Sequence, residues 1–168
     1  YGADATRFGL IWQTMGNQDI HWSEEHVLAG KKFLNKIWNA SRFVLQQTSN
    51  LKTETELKNA NLTDADKEIL KKLEEIVKKT TKQIETYQFG QALHDLYDFF
   101  WHDFCDKYIE EFKIQNSCPE TLLFILTTSL KLLHPFLPHL TEEIWSKINP
   151  PVGRGKNNLL IVTPWPVK

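Results

Sequence analysis

Hydrophobic residues recur at helical spacing along most of the chain, and the pattern predicts a series of amphipathic helices. Asp4 is expected to cap a first short helix that ends near Met15. Ser23, followed by two glutamates, predicts the start of a long second helix that runs to about Gln47. Residues 48–62 are polar with few apolar positions, which indicates a surface loop or a frayed short helix.

The helical pattern continues beyond residue 62 with more apolar and aromatic positions. Thr63 stands three residues before Asp66, which is the spacing of a capping box, and an apolar stripe follows to about Tyr87. Residues 91–115 contain a dense set of aromatic side chains and predict one continuous helix in the centre of the bundle.

Prolines divide the rest of the chain. Pro119 occupies a favoured first-turn position and opens an apolar helix that ends at His134. Thr141 is expected to cap a short last helix that Pro150 stops. Residues 159–162 predict either a short strand or an extended tail packed on the bundle. We therefore predict an all-α fold, a helical bundle with a short extended C-terminal segment.

Length and composition are sufficient for one folded domain over residues 1–168. The chain has 168 residues, 41% of them hydrophobic, with six Trp and ten Phe. A chain of this size buries roughly 70% of its unfolded surface and needs neither disulfides nor a metal. Tyr1 is not a natural start residue, so we expect an excised piece of a larger protein.

Charge and cysteine content restrict the possible functions. The net charge is −1, so affinity for a polyanion must arise from local patterning. Residues 84–111 are acidic, with one basic and seven acidic side chains. Cys105 and Cys118 have no paired spacing, which predicts reduced thiols and a cytoplasmic protein. No signal peptide or membrane span is expected.

Motifs for catalysis are absent from the sequence, and we expect no catalytic or metal-binding residues. Asp98, His102 and Asp106 follow one another at intervals of four, a spacing that permits acid–base or metal chemistry on one helical face. A solvated polar stripe explains the same spacing. Residues 153–156 form a glycine-basic cluster without the strand-to-helix context of a phosphate-binding loop.

The second helix combines cations, amides and an aromatic ring on its polar face. At about 100° per residue, one side holds Lys32, Lys36, Asn39 and Phe43, with Asn35 and Arg42 beside them. Such a face offers cations for phosphates, amides for base edges and a ring for stacking, which suits single-stranded or looped RNA. A charged face that only keeps the helix hydrated is the alternative.

Several stretches together resemble the anticodon-binding domain of class I aminoacyl-tRNA synthetases, most closely that of the valyl family. They are residues 1–8 (YGADATRF), 35–44 (NKIWNASRFV), 98–110 (DFFWHDFCDKYIE) and 134–145 (HPFLPHLTEEIW). The resemblance implies a helical bundle that binds the anticodon stem-loop of tRNA(Val). It also implies that a separate domain, absent from this chain, uses ATP to attach valine to the tRNA. The chain itself is then non-catalytic, without a cofactor, and is expected to be a monomer.

Two alternatives remain open at this point. One is the anticodon-binding domain of another branched-chain synthetase, isoleucyl or leucyl. The other is a helical protein-interaction module in which the same face of the second helix docks a partner. Salt dependence distinguishes RNA binding from an apolar protein interface.

The resemblance also implies roles for individual residues. The resemblance assigns RNA contacts first to Lys36 and Phe43. It implies that Phe43 stacks on an anticodon base. Lys32, Lys36 and Arg42 are expected to contact phosphates or base acceptors, and Asn35 and Asn39 base edges. His21 and Trp22, which precede the second helix, are further expected contacts, whereas Trp38 is assigned to the core.

Overall fold

Helices account for nearly all the regular structure. The computed structural model describes residues 1–16, 19–49, 62–115, 118–150 and 158–166, and these ranges contain no β-strand. The elements follow in the order α1 (Ala3–Trp12), α2 (Glu24–Gln47), α3 (Asp64–Glu85), α4 (Phe89–Asp98), a π-helix (Phe99–Tyr108), α5 (Ile109–Gln115), α6 (Pro119–Leu133), α7 (Pro138–Ile148) and a 3₁₀ turn (Leu160–Val162). The predicted all-α fold is confirmed. Most of the predicted loop at 48–62, and the cluster at 153–156, lie outside the described residues.

The helices share one hydrophobic core. Each of α1 to α7, the π-helix and the 3₁₀ turn contributes buried side chains to it, among them Phe8, Phe33, Ile69, Leu93, Phe104, Ile109, Leu126, Ile144 and Leu160. Within the described ranges, no helix is both long and apolar enough to cross a membrane.

Helices α1 and α2 form a close antiparallel pair because glycines lie at their crossing. A Cβ atom added at Gly30 would stand 2.9 Å from the Ala5 carbonyl oxygen, and one at Gly9 would stand 2.8 Å from the Val27 side chain. Residue numbers rise along one helix as they fall along the other, which gives the antiparallel direction. The pairing fixes α2 on the bundle and leaves its opposite side towards solvent.

Capping at the starts of α2 and α3 follows the sequence prediction. The Ser23 side chain accepts a hydrogen bond from the His26 amide, and Thr63 with Asp66 forms a complete capping box. Asp66 is fully buried, and its carboxylate also accepts a hydrogen bond of 2.5 Å from the Tyr108 hydroxyl. The start of α3 is thereby joined to the π-helix.

Asp4 does not cap its own helix, contrary to the prediction. Helix α1 begins at Ala3, so Asp4 lies within its first turn, and the helix ends at Trp12 rather than near Met15. The buried Asp4 carboxylate accepts hydrogen bonds from the amides of His139 and Leu140, at 3.3 and 2.7 Å. It therefore caps the start of α7, a long-range contact that local spacing does not show.

The last helix begins earlier than predicted. Helix α7 starts at Pro138, and Thr141 lies buried in its first turn, where its hydroxyl donates to the Leu137 carbonyl at 2.8 Å. Proline at a first helical position supplies the fixed φ of a helix and lacks the amide that would be left unpaired there. Thr141 therefore does not act as the N-cap.

The C-terminal segment packs on the bundle but contains a 3₁₀ turn in place of the predicted strand or extended stretch. Leu160 is buried in the core, and the Trp165 indole N–H donates to the Thr81 hydroxyl at 2.9 Å. The Trp145 indole N–H donates to the Asn158 carbonyl at 2.9 Å.

One continuous helix covers residues 89–115, two residues longer than the predicted 91–115, and its central ten residues are π-helical. In a π-helix, backbone hydrogen bonds join residues five apart. In an α-helix, residues five apart would point about 140° away from each other. Here Trp101 and Asp106 lie on the same side, since both contact Lys36 of α2. The α-helical period therefore does not predict the faces of Phe99–Tyr108.

Candidate nucleic-acid interface

Helix α2 exposes a polar ridge along the side opposite the core. Its buried positions include Phe33, Ile37 and Val44, which lie about 100° to 180° from the exposed ones at α-helical spacing. We define the α2 ridge as the exposed residues Lys31, Lys32, Asn35, Asn39 and Arg42. Four of the five were predicted from the sequence; Lys31 was missed, although its spacing from Asn35 and Arg42 places it on the same side.

The cations of the α2 ridge are available. Lys31, Lys32 and Arg42 form no ion pair with any residue in the described ranges. Asn35 and Asn39 stand between them along the helix, with both amide donors and carbonyl acceptors. The ridge therefore presents, on one helix, two amides and three positive charges that no carboxylate of the described ranges neutralises.

Lys36 lies at the edge of this surface and is already engaged. Its Nζ donates to Asp106 Oδ1 at 2.7 Å and stands 5.1 Å from the centroid of the Trp101 ring. About a third of its side chain is exposed, 32% against 46% for Asp106. Lys36 is therefore not the free cation that the helical pattern of α2 alone suggests.

The ion pair of Lys36 persists over a wide pH range. Burial lowers the pKa of the Lys36 ammonium, but the hydrogen bond to Asp106 and the negative charges of Asp106 and Glu110 together outweigh it, and the pKa is raised. The hydrogen bond from Lys36 lowers the pKa of Asp106, against a smaller opposing effect of burial. Both groups are charged at neutral pH.

Phe43 is half-buried and is not the free-standing ring that the sequence pattern predicts. Its ring meets Phe112 of α5 edge-on, with centroids 6.3 Å apart at 88°, and Lys113 Nζ lies 5.4 Å from its centroid. Phe43 occupies the border between the α2 ridge and α5, and a single-helix projection cannot show that α5 covers this border.

The remaining predicted residues lie where the sequence placed them. His21 and Trp22 are exposed just before α2, and 63% of the Trp22 surface is accessible. Trp38 packs against the core, and Lys147 Nζ lies 5.6 Å from its ring. The roles of all the candidate residues toward RNA stay predictions.

The Asp98, His102 and Asp106 spacing does not form a metal site. His102 Nδ1 lies 3.4 Å from Asp106 Oδ2, while the other oxygen of Asp106 binds Lys36. Within the described ranges, no three His, Cys, Asp or Glu side chains are grouped so that they could hold a metal ion. Cys105 is buried, which raises the pKa of its thiol to about 12 and keeps it protonated.

Comparisons with known proteins agree on one family. The family model described as the anticodon-binding domain of tRNA ligase matches residues 66–168. Valine–tRNA ligase of Bacillus cereus is 39% identical over 175 residues, with 99% of this chain and 19% of the relative covered. The enzyme of the same name from Thermotoga maritima is 42% identical over 172 residues, with the same coverage.

A solved structure shares the fold. In the ternary complex of Agrobacterium radiobacter LeuRS with tRNA and LeuAMS, the matching region has a TM-score of 0.78 and 26% identity, covering 99% of this chain and 19% of that one. The chain thus spans about a fifth of the length of the relatives that it matches. On these grounds, the chain belongs to the family of anticodon-binding domains of tRNA ligases.

Proposed function

We propose that this chain recognises the anticodon arm of tRNA(Val) as part of a valine–tRNA ligase. Its curated relatives at 39% and 42% identity carry that name. The observation that carries the proposal is the α2 ridge, which holds on one exposed helix face two amides and three cations that form no ion pair with the described residues. Phosphate contacts position an RNA, while amides and rings that reach the bases specify it.

Each part of the surface has a distinct role in this proposal. Lys31, Lys32 and Arg42 neutralise phosphates of the anticodon loop, and Asn35 and Asn39 donate to or accept from base edges. Lys36 contacts the RNA from the border of the ridge, through a base acceptor.

Aromatic stacking completes the surface. The open side of Phe43 stacks on one unstacked base, an interaction worth roughly 1–3 kcal/mol. Trp22, with His21 beside it, supplies a second ring at the start of α2. We infer that these rings hold bases that the anticodon loop splays out, because recognition of RNA sequence targets unstacked bases.

Chemistry belongs to other parts of the proposed ligase. We infer that attachment of valine to tRNA, with ATP, takes place in a domain outside this chain, and that this chain contributes binding only. Its candidate residues are cations, amides and rings without a nucleophile–base pair.

Identity favours the valyl assignment over the leucyl alternative. The valine–tRNA ligases share 39% and 42% of residues with this chain, against 26% for the LeuRS structure. A protein-docking role for the α2 ridge is disfavoured by its composition, because the cores of protein interfaces are depleted in charged residues, lysine among them.

Binding to RNA hairpins tests the proposal. The chain is titrated with a valine anticodon stem-loop and with the same hairpin carrying a changed anticodon, over a series of salt concentrations. We expect preference for the valine anticodon and a log–log salt slope near −2, since three ridge cations each contribute about −0.7 on single strands. Equal affinity for the two hairpins, or a slope near zero, would contradict the proposal.

A further inference from the structure

We propose that Asp106 is a positioning residue that compensates the charge of Lys36 and so confines phosphate binding to the α2 ridge. This inference rests on the proposed function and assigns a specificity role to a carboxylate that lies on the π-helix. Without Asp106, Lys36 would become an additional mobile cation beside the ridge. It would then bind any RNA backbone, whatever the anticodon.

The carboxylate of Asp106 is held from two sides. One oxygen accepts from Lys36 Nζ at 2.7 Å, and the other lies 3.4 Å from His102 Nδ1. Asp106 therefore has a fixed orientation toward α2. A phosphate that approached Lys36 would come close to the Asp106 carboxylate, which already contacts the ammonium. The two negative groups would repel each other.

The ring of Trp101 restricts Lys36 further. It stands 5.1 Å from Nζ, within the range of a cation–π contact. Trp101 is itself stacked on Tyr97, with centroids 5.3 Å apart at 28°, and packs near Phe33 of α2. The ammonium thus lies against a supported ring and a carboxylate, which restrict the directions from which a ligand can reach it.

The π-helix builds this arrangement. Trp101 and Asp106 are five residues apart, a spacing that an α-helix would place on widely separated faces. Hydrogen bonding at a spacing of five within Phe99–Tyr108 brings both side chains to the same lysine. π-Helical segments frequently occur at functional sites. The contact of both Trp101 and Asp106 with Lys36, a candidate RNA-binding residue, therefore supports a role of this π-helix in binding.

Charge compensation predicts a measurable signature in salt dependence. RNA binding becomes salt-dependent because a protein cation displaces counterions from the backbone. Lys36 is already paired with Asp106 and displaces few counterions. The three cations of the ridge each displace counterions in full. Release of Lys36 would add about one cation, and hence about −0.7, to the slope.

A matched control lies on the same helix. Asp103 pairs with Lys72 of α3 at 2.6 Å, so Asp103→Asn removes the same charge from the π-helix but acts on a lysine of a different helix, which keeps Glu68 as a second partner at 3.6 Å. Asp106→Asn and Asp103→Asn therefore change the net charge equally. Only the first acts on a residue of α2.

The experiment compares the unchanged chain, Asp106→Asn and Asp103→Asn in binding to the valine hairpin and to the hairpin with a changed anticodon. We expect Asp106→Asn to bind the changed hairpin more tightly and to lose part of its preference for the valine anticodon. Between 50 and 200 mM salt, the affinity of Asp106→Asn should also fall by a factor about three times larger than the factor for the unchanged chain. Asp103→Asn should retain the preference. Adding Lys36→Met to Asp106→Asn should return the slope to its original value.

The outcomes separate this inference from the proposed function. If the unchanged chain prefers the valine anticodon but Asp106→Asn behaves like it or like Asp103→Asn, the inference is overturned and the proposed function stands. If the unchanged chain lacks either the preference or the salt dependence, both the inference and the proposed function are overturned. Circular dichroism of each variant establishes that it folds, as expected for an exposed carboxylate.

Discussion

The buried carboxylate of Asp66 connects three elements of the fold. It accepts hydrogen bonds from Thr63 at the start of α3 and from the Tyr108 hydroxyl of the π-helix, and the Cys118 amide before α6 lies 3.5 Å from it. Burial and the neighbouring Asp66 raise the pKa of Tyr108, so its hydroxyl remains a donor at all ordinary pH values.

Tyr108→Phe should destabilise the fold, because one oxygen of a buried carboxylate loses its donor. We expect a loss of about 1–3 kcal/mol in the free energy of unfolding, measured by urea denaturation. Tyr97→Phe is the matched control: the Tyr97 hydroxyl makes no hydrogen bond with the described part of the chain. Its removal should change stability by less than about 0.5 kcal/mol. Equal effects of the two variants would contradict the role of Asp66.

His134 gives stability a dependence on pH. Burial lowers its pKa below the ordinary value of 6.5, although the charges of Glu142 and Asp4 oppose this effect. The unfolded chain then binds a proton more readily than the folded one, so the contribution is complete above pH 6.5 and is lost as the pH falls below it.

His134→Gln should therefore flatten the pH dependence of unfolding below about pH 6.5. The measurement is the urea midpoint of the unchanged chain and the variant at pH 7.5 and pH 5.5. We expect the unchanged chain to lose more stability than the variant on acidification. His102→Gln, at an exposed position, serves as the control. If His134→Gln loses as much stability on acidification as the unchanged chain does, His134 is not the source of the pH dependence.

The packing of α4 against the turn after α1 depends on Gly90. A Cβ atom there would lie 2.4 Å from the Thr14 carbonyl oxygen, closer than any tolerated contact with backbone. Gly90→Ala should destabilise the fold by about 1–3 kcal/mol, the usual cost of overpacking, despite the better helix propensity of alanine. Thermal unfolding provides the measurement. Gly16→Ala, where no atom lies within 4 Å of the added Cβ, should be nearly neutral.

Periodicity and caps predict most of the elements, because both are local properties of the sequence. The starts of α2, α3 and α6 follow from Ser23, Thr63 and Pro119, and all three are confirmed. The widening of residues 99–108 into a π-helix was not predicted, since a 3.6-residue period was assumed throughout. The role of Asp4 was also missed, since its partners are 135 and 136 residues away.

Only part of the candidate site was predicted, because the prediction used the sequence of α2 alone. Exposure of Lys32, Asn35, Asn39 and Arg42 follows from the projection of α2 alone, and the structure agrees. Lys36 and Phe43 lie at the border of that face, where Asp106 and Phe112 from other elements cover them. A projection of one helix contains no information about its neighbours.

Ion pairs between the helices determine where positive charge remains free on the protein surface. The acidic central helix, residues 89–115, is partly neutralised by lysines of α2 and α3, with contacts Lys36–Asp106, Lys72–Asp103 and Lys79–Asp95. Ion pairs at the surface contribute about 0–1 kcal/mol each to stability, and these are partly exposed. Their larger effect is to leave the α2 ridge as a basic surface on a chain with a net charge of −1.

Lys32→Ala should weaken binding to the valine hairpin and to the changed hairpin by the same factor. A lysine that contacts phosphate reads no sequence, so the ratio of affinities stays constant while the salt slope becomes shallower by about 0.7. Fluorescence titration of both hairpins over a salt series measures each quantity. Lys71→Ala, on the exposed face of α3, is the control and should change neither. A shift in the ratio with Lys32→Ala would assign this residue to the bases.

The hydrogen bonds from α7 to Asp4 make the two ends of the bundle dependent on each other. A chain shortened by four residues, through proteolysis or in a trimmed expression product, would lose little of its core but would uncap a helix that begins more than 130 residues later. The loosened α7 would then release the Trp145 contact with Asn158 and the segment after it. Truncation at one terminus should therefore appear as increased protease sensitivity at the other.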